Sequence, residues 1–155
     1  MSSGDILCWL NSDDYFLPGT LSWVSQNLDI TKQQLLFGNC FRFMEGMSES
    51  LGSDVVKSHS EFALNLSDYV IQPSSFWTRN VWDSVGLLDD TLHYAFDWDW
   101  FIRASRSAVD FIPTNRYLSS YRIHDNHKTC TGGEKRVKEI GDIYLKYSDK
   151  KYYSS

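Results

Sequence analysis

Four short stretches hold the residues whose types and spacing can do chemistry. The first is Asn11-Ser12-Asp13-Asp14, which closes the apolar run Ile6-Leu7-Cys8-Trp9-Leu10. Adjacent carboxylates repel, so a cation beside them would relieve the cost. Their hard oxygens suit Mg2+ or Mn2+, which commonly joins one or two carboxylates to a substrate phosphate. An acidic cap ahead of the Pro18-Gly19 turn accounts for the same residues equally well. The second stretch is Asp97-Trp98-Asp99. A carboxylate within reach of a hydroxyl can act as a general base. Phe96, Trp98 and Trp100 would desolvate Asp97 and raise its pKa. The plainer reading sets Asp97 on the positive end of a helix dipole and pairs Asp99 with Arg103 at i,i+4. The third is Tyr121-Arg122-Ile123-His124, followed by Asp125-Asn126-His127-Lys128. A strand ending in His can ligate a metal or hold a diphosphate. His127 has no second metal motif beside it and reads as solvated loop. In the fourth, Gln72-Pro73-Ser74-Ser75-Phe76-Trp77, an amide beside two aromatic rings suits hydroxyl-rich ligands, or a packed turn.

These residues need a frame. Residues 6–10 read as a strand covered on both faces, as in a parallel sheet, with Cys8 a small core residue. Ligands bind at the carboxyl ends of such strands. A short helix is expected over 18–28, with Leu21, Val24 and Leu28 at helical spacing. Residues 35–43 read as an aromatic-rich strand, and Val55-Val56 as a weak one. A helix over 61–66 takes Ser60 as its cap. Tyr69-Val70-Ile71 reads as a short strand ahead of the proline turn. Residues 80–85 form a helix that Gly86 ends, and 96–107 form another. Strands are expected at 109–112 and 117–123, with Pro113 breaking between them. A helix over 134–147 places Val137, Ile140, Tyr144 and Tyr147 on one face.

Composition narrows the classes. The chain has 155 residues, of which 42% are hydrophobic, enough for one domain with a real core. A net charge of −5 argues against generic nucleic-acid binding. Three cysteines, Cys8, Cys40 and Cys130, are odd in number and widely spaced, which excludes a zinc or disulfide framework and fits a reducing compartment. No apolar run approaches transmembrane length. A buried strand opens the chain with no crossover before it, which predicts that the N-terminal part of a larger domain is absent.

Taken in order, the four stretches resemble the family 2 glycosyltransferases of the GT-A fold, over Gly4 to about Thr129. The segment from Gly4 to Asp14, with Leu17-Pro18-Gly19-Thr20-Leu21, resembles the one carrying the family's DxD metal motif. The segment from Gln72 to Trp77 resembles its acceptor side. The segment from Leu87 to Arg103 resembles the helix supplying the catalytic base, and Tyr121-Arg122-Ile123-His124 the strand ending in a histidine. The resemblance implies a mixed α/β fold, a partial Rossmann-like GT-A sheet flanked by helices. Residues 1–130 would form the partial domain, and 131–155 a C-terminal amphipathic helix and tail.

The resemblance also assigns roles. Asp13 and His124 would hold Mg2+ or Mn2+, and Asp97 would be the base. Asn11, Asp14, Gln72, Trp77 and Asp99 fall among the substrate-binding candidates. Asn11 stands where the family often has Asp, and Phe96 where it often has Glu. The implied reaction is an inverting transfer from a nucleoside diphosphate sugar to a hydroxyl of a saccharide or lipid-linked acceptor, in polysaccharide or glycoconjugate synthesis. The resemblance implies a cytoplasmic location; Lys135, Arg136, Lys138 and Lys146 could touch an anionic membrane face, but an ordinary packed helix with a solvated face is the preferred reading. The missing nucleotide subsite and Asn11 leave a second expectation, a non-catalytic remnant that binds carbohydrate or a partner.

Overall fold

Alternation along Gln34–Met44, the third strand, sets the layers. Leu35 and Phe37 enter one apolar cluster and Leu36 enters the other, because successive strand residues point to opposite faces. The computed structural model describes residues 3–44, 51–53, 58–123 and 132–148. Among these, β1 (Ile6–Cys8), β2 (Tyr15–Phe16), β3 (Gln34–Met44), β4 (Leu51–Gly52), β5 (Ser75–Thr78) and β6 (Asp110–Ile123) form one mixed sheet. Its order is β1-β5-β3-β6-β2, with β4 on β3. Only β3 and β6 run parallel. The helices are α1 (Thr20–Asn27), α2 (Glu61–Leu66), α3 (Arg79–Val85), α4 (Phe96–Ser105) and α5 (Gly133–Tyr147). Val24 and Leu28 of the α1 region cover one face with Leu36, Phe76 and Leu118. Leu64, Val81, Trp98, Phe101, Ile143 and others, from α2 to α5, cover the opposite face. The expected α/β class is what forms.

Several local signals act as read. Ser60 Oγ accepts from Ala63 N–H at 3.3 Å and starts α2. Gly86 ends α3 at φ 83°, a conformation that favours glycine. Other expectations need correction. β1 is an edge strand antiparallel to β5, not a parallel one. Ile6 packs towards one cluster while Leu7 and Trp9 pack towards the other, so an edge strand covered on two faces reads as an unbroken apolar run. Cys8 is exposed. Tyr69–Ile71 forms no strand, because Ser74 N–H bonds the Ile71 carbonyl and winds Gln72–Ser74 into a 3-10 turn. Pro113 lies within β6; the register against β3 shifts nearby, between Phe37 and Asn39, so the missing N–H gives an irregularity rather than a break. On α5 the buried residues are Ile143 and Tyr147, with Ile140 and Tyr144 partly so, and Val137 faces solvent. Val55-Val56 lies outside the described residues.

Helix α5 contributes to the main core and is no separate layer. Two of its lysines are engaged, Lys138 with Asp142 at 2.7 Å and Lys146 with Asp99 at 2.8 Å. Among the described residues no helix is long and apolar enough to cross a membrane.

At Gly38 β3 packs closely against β6. A Cβ there would lie 2.7 Å from the Arg116 carbonyl oxygen and 2.8 Å from Leu118 Cδ1. Backbone cannot yield as a flexible side chain does. Gly38→Ala is expected to cost about 1–3 kcal/mol in urea unfolding; an unchanged midpoint would contradict the close packing.

Candidate active site at one end of the sheet

Asn11 to Asp14 form a turn, closed by Asp14 N–H on the Asn11 carbonyl at 3.2 Å. The Asn11 amide donates to Asp14 Oδ2 and to Gln72 Oε1, each at 3.2 Å. Gln72 Nε2 in turn donates to the Trp9 carbonyl. The Arg122 N–H donates to Asp14 Oδ1 at 3.2 Å, which ties the turn to the end of β6. Asp14 is buried, and each carboxylate oxygen takes a bond from the protein. It holds the turn between β1 and β6. Asp13 sits half-buried beside it. The first and fourth stretches of the sequence thus meet side chain to side chain.

The second stretch arrives through an aromatic contact. The Trp9 ring stacks on Phe96 with centroids 4.9 Å apart and planes at 28°. Phe96 begins α4, and Asp97 follows with its Oδ1 accepting from Trp98 N–H at 2.9 Å. Burial pushes the Asp97 carboxyl above the usual carboxylate range, the hydrogen bond opposes this, and the Glu139 charge adds to it. The aromatic surroundings on the sequence predicted that direction. Asp68, which no motif marked, faces the same spot. Its carboxyl is pushed up well above the ordinary value, first by the surrounding protein and then by Asp97. Residue 68 as a whole is exposed, and the Asp97 charge is one of the two causes that raise its carboxyl. A pair of facing carboxylates held above their usual range is a recurrent feature of acid–base sites.

Other expected residues lie elsewhere. Asp99 is 1% exposed and takes bonds from Arg103 Nε at 2.9 Å, Lys146 Nζ at 2.8 Å and Tyr147 OH at 2.6 Å. Burial would raise its carboxyl, but these donors outweigh it and hold the group low. The i,i+4 pair read from spacing is therefore the role its contacts describe. Trp77 is a core residue, 4.8 Å from the Trp100 ring, and its buried indole N–H has no hydrogen-bond partner among the described residues. It lines a cavity of about 360 Å3 with Leu7, Cys8, Trp9, Arg79, Trp82 and Asp83. His124 and His127 lie outside the described residues. Among the described residues no group of three or more His, Cys, Asp and Glu side chains is placed to hold a metal ion.

No protein-family model matches the chain. It is similar to the Uncharacterized glycosyltransferase YwdF of Bacillus subtilis (strain 168), with 22% identity over 155 residues, covering 94% of this chain and 56% of that protein. That is distant homology to a protein named a glycosyltransferase. The chain spans little more than half the length of that relative.

A carboxyl raised on folding binds its proton more tightly folded than unfolded. Its ionisation then costs stability; the cost is absent below the unfolded value of about 4 and grows as pH rises through the folded value. Asp97→Asn is therefore expected to raise the melting temperature at about pH 8, with the gain vanishing near pH 4. A loss of stability at the higher pH would contradict the raised carboxyl.

Proposed function

We propose that the chain carries the acidic side of a glycosyltransferase site of the family 2 type. The observation that carries this reading is the meeting of the Asn11–Asp14 turn, Gln72 and the start of α4 at one end of the sheet. Distant homology to a protein named a glycosyltransferase supports the same class. Asp97 takes the proton of an acceptor hydroxyl, and its raised carboxyl suits a base working near neutral pH. That oxygen attacks the anomeric carbon while the bond to the diphosphate breaks on the opposite side, inverting the centre. The developing sugar cation resembles that of glycoside hydrolysis.

The donor set fits a cation sparingly held by protein. Asp14 is bonded within the turn, and the neighbouring Asp13 is the carboxylate proposed for Mg2+ or Mn2+. Such ions accept one or two protein carboxylates and complete their shell with phosphate oxygens and water. Bound there, the ion would offset charge on the leaving diphosphate. His124 follows Ile123 at the end of β6, the strand to which Asp14 is tied, and would complete the set. Asn11, with its amide nitrogen given to Asp14 and Gln72, orders the turn. A saccharide or lipid-linked acceptor would enter beside Gln72 and Asp97, and peripheral membrane contact would suit a lipid-linked one.

One observation favours a second reading, a carbohydrate- or partner-binding module without turnover. Asn11 and Asp14 are already bonded to each other and to Gln72 and Arg122, so the turn is closed by protein groups alone.

The test is nucleoside diphosphate release from a panel of sugar donors with Mn2+ and saccharide acceptors. Asp97→Asn should lower transfer by about 10²–10⁴-fold while leaving Mn2+-dependent donor binding within about threefold. Asp13→Ala should weaken that donor binding and its Mn2+ dependence. Wild-type binding without transfer would favour the module; full activity in Asp97→Asn would remove the base role.

A further inference from the structure

Helix α5 reaches the site from the far end of the chain. Glu139 on α5 accepts three consecutive backbone N–H groups just ahead of α4. Its Oε2 takes His93 at 2.9 Å, and its Oε1 takes Tyr94 at 2.6 Å and Ala95 at 2.7 Å. Helix α4 has no side-chain cap of its own, because Ala95 occupies the cap position. Glu139 supplies that function from a different helix, placing a negative charge at the positive end of α4. The turn it closes leads directly into Phe96, which stacks on Trp9, and Asp97.

We propose that Glu139 is a positioning residue for Asp97, fixing from α5 the turn that aims the base at the acidic end of the sheet. The proposal rests on the base reading of Asp97 given above. The rest of α5 is built to hold Glu139 in place. Ile143 and Tyr147 are buried in the main core, and Lys146 and Tyr147 bond Asp99 one turn into α4. Arg106, just past α4, donates to the Tyr147 carbonyl at 2.9 Å. Both ends of α4 are therefore clasped by one helix, and the carboxylate at the first end is Glu139.

Charge follows geometry. Among the described residues, titratable groups that act at this end of α4 are Asp68 from the connection after α2, His93 from the turn and Glu139 from α5. Burial alone would raise the Glu139 carboxyl, but its three N–H partners and His93 hold it low, so it stays charged. That fixed charge is one of the causes raising Asp97. Glutamine at 139 keeps an acceptor for Tyr94 and Ala95 and removes the charge. Alanine removes both.

The test is NMR of the 155-residue chain with 13C-labelled aspartate carboxyls and amide exchange. Glu139→Gln should move the Asp97 titration down by about half a pH unit or more. Glu139→Ala should speed amide exchange at Tyr94 and Ala95 about tenfold or more. Asp142→Asn, which removes another carboxylate of α5, should do neither. An unmoved Asp97 titration in Glu139→Gln would overturn the proposal, as would an equal shift in Asp142→Asn. None of these readouts involves turnover. Transfer retained in Asp97→Asn would instead remove the base reading, so the two failures are separable.

Discussion

Gln72 spans two ends of the site with one planar amide. Its nitrogen donates to the Trp9 carbonyl and its oxygen accepts from Asn11. An amide must satisfy both ends when half-buried, and here both ends meet the segment that follows β1. That constraint fixes the direction in which the chain leaves β1. It also sets the Trp9 backbone, and so the ring that stacks on Phe96. The Trp9–Phe96 stack ties the start of α4 to this junction, and Glu139 orders the turn just ahead of it.

Around this junction the carboxylates divide by environment. Asp14 and Asp99 are spent on structure: each is buried, and each carboxylate oxygen has a donor. Asp97 and Asp68 are held above their ordinary values by burial and, for Asp68, by its acidic neighbour. Ionising such groups costs stability that a purely structural residue would not ask of the fold, which is why raised carboxyls gather at working sites. Glu139 belongs to neither set, since it remains charged while ordering backbone for another residue.

What the sequence made legible was local. The Ser60 cap, the Gly86 stop, the start of α4 and the Asp99–Arg103 spacing all depend on neighbours within a turn, and each forms as read. The acidic turn after an apolar strand was also legible, but the contact of its Asn11 with Gln72 was not, because 61 residues separate the two. The direction of β1 was not, because apolar residues on both faces look alike in an edge strand and a central one. The exposure of Cys8 was hidden for the same reason. Asp68 and Glu139 carried no signal, since each acts on Asp97 or its turn across the fold, and long-range contacts leave no spacing to read. Pro113 misled because a strand can absorb a missing donor in an irregular register.

Under the proposed function, the acidic turn, Gln72 and the start of α4 form one site for a cation and a diphosphate-bearing ligand. Paramagnetic broadening of amide signals by Mn2+, with a nucleoside diphosphate present, tests it most directly. Signals of Ser12, Asp13 and Asp14 are expected to broaden first, followed by those of Gln72 and Asp97, with α1 and α3 unaffected. Broadening centred on another acidic position such as Asp29 or Asp142, or none that depends on the nucleotide, would contradict it.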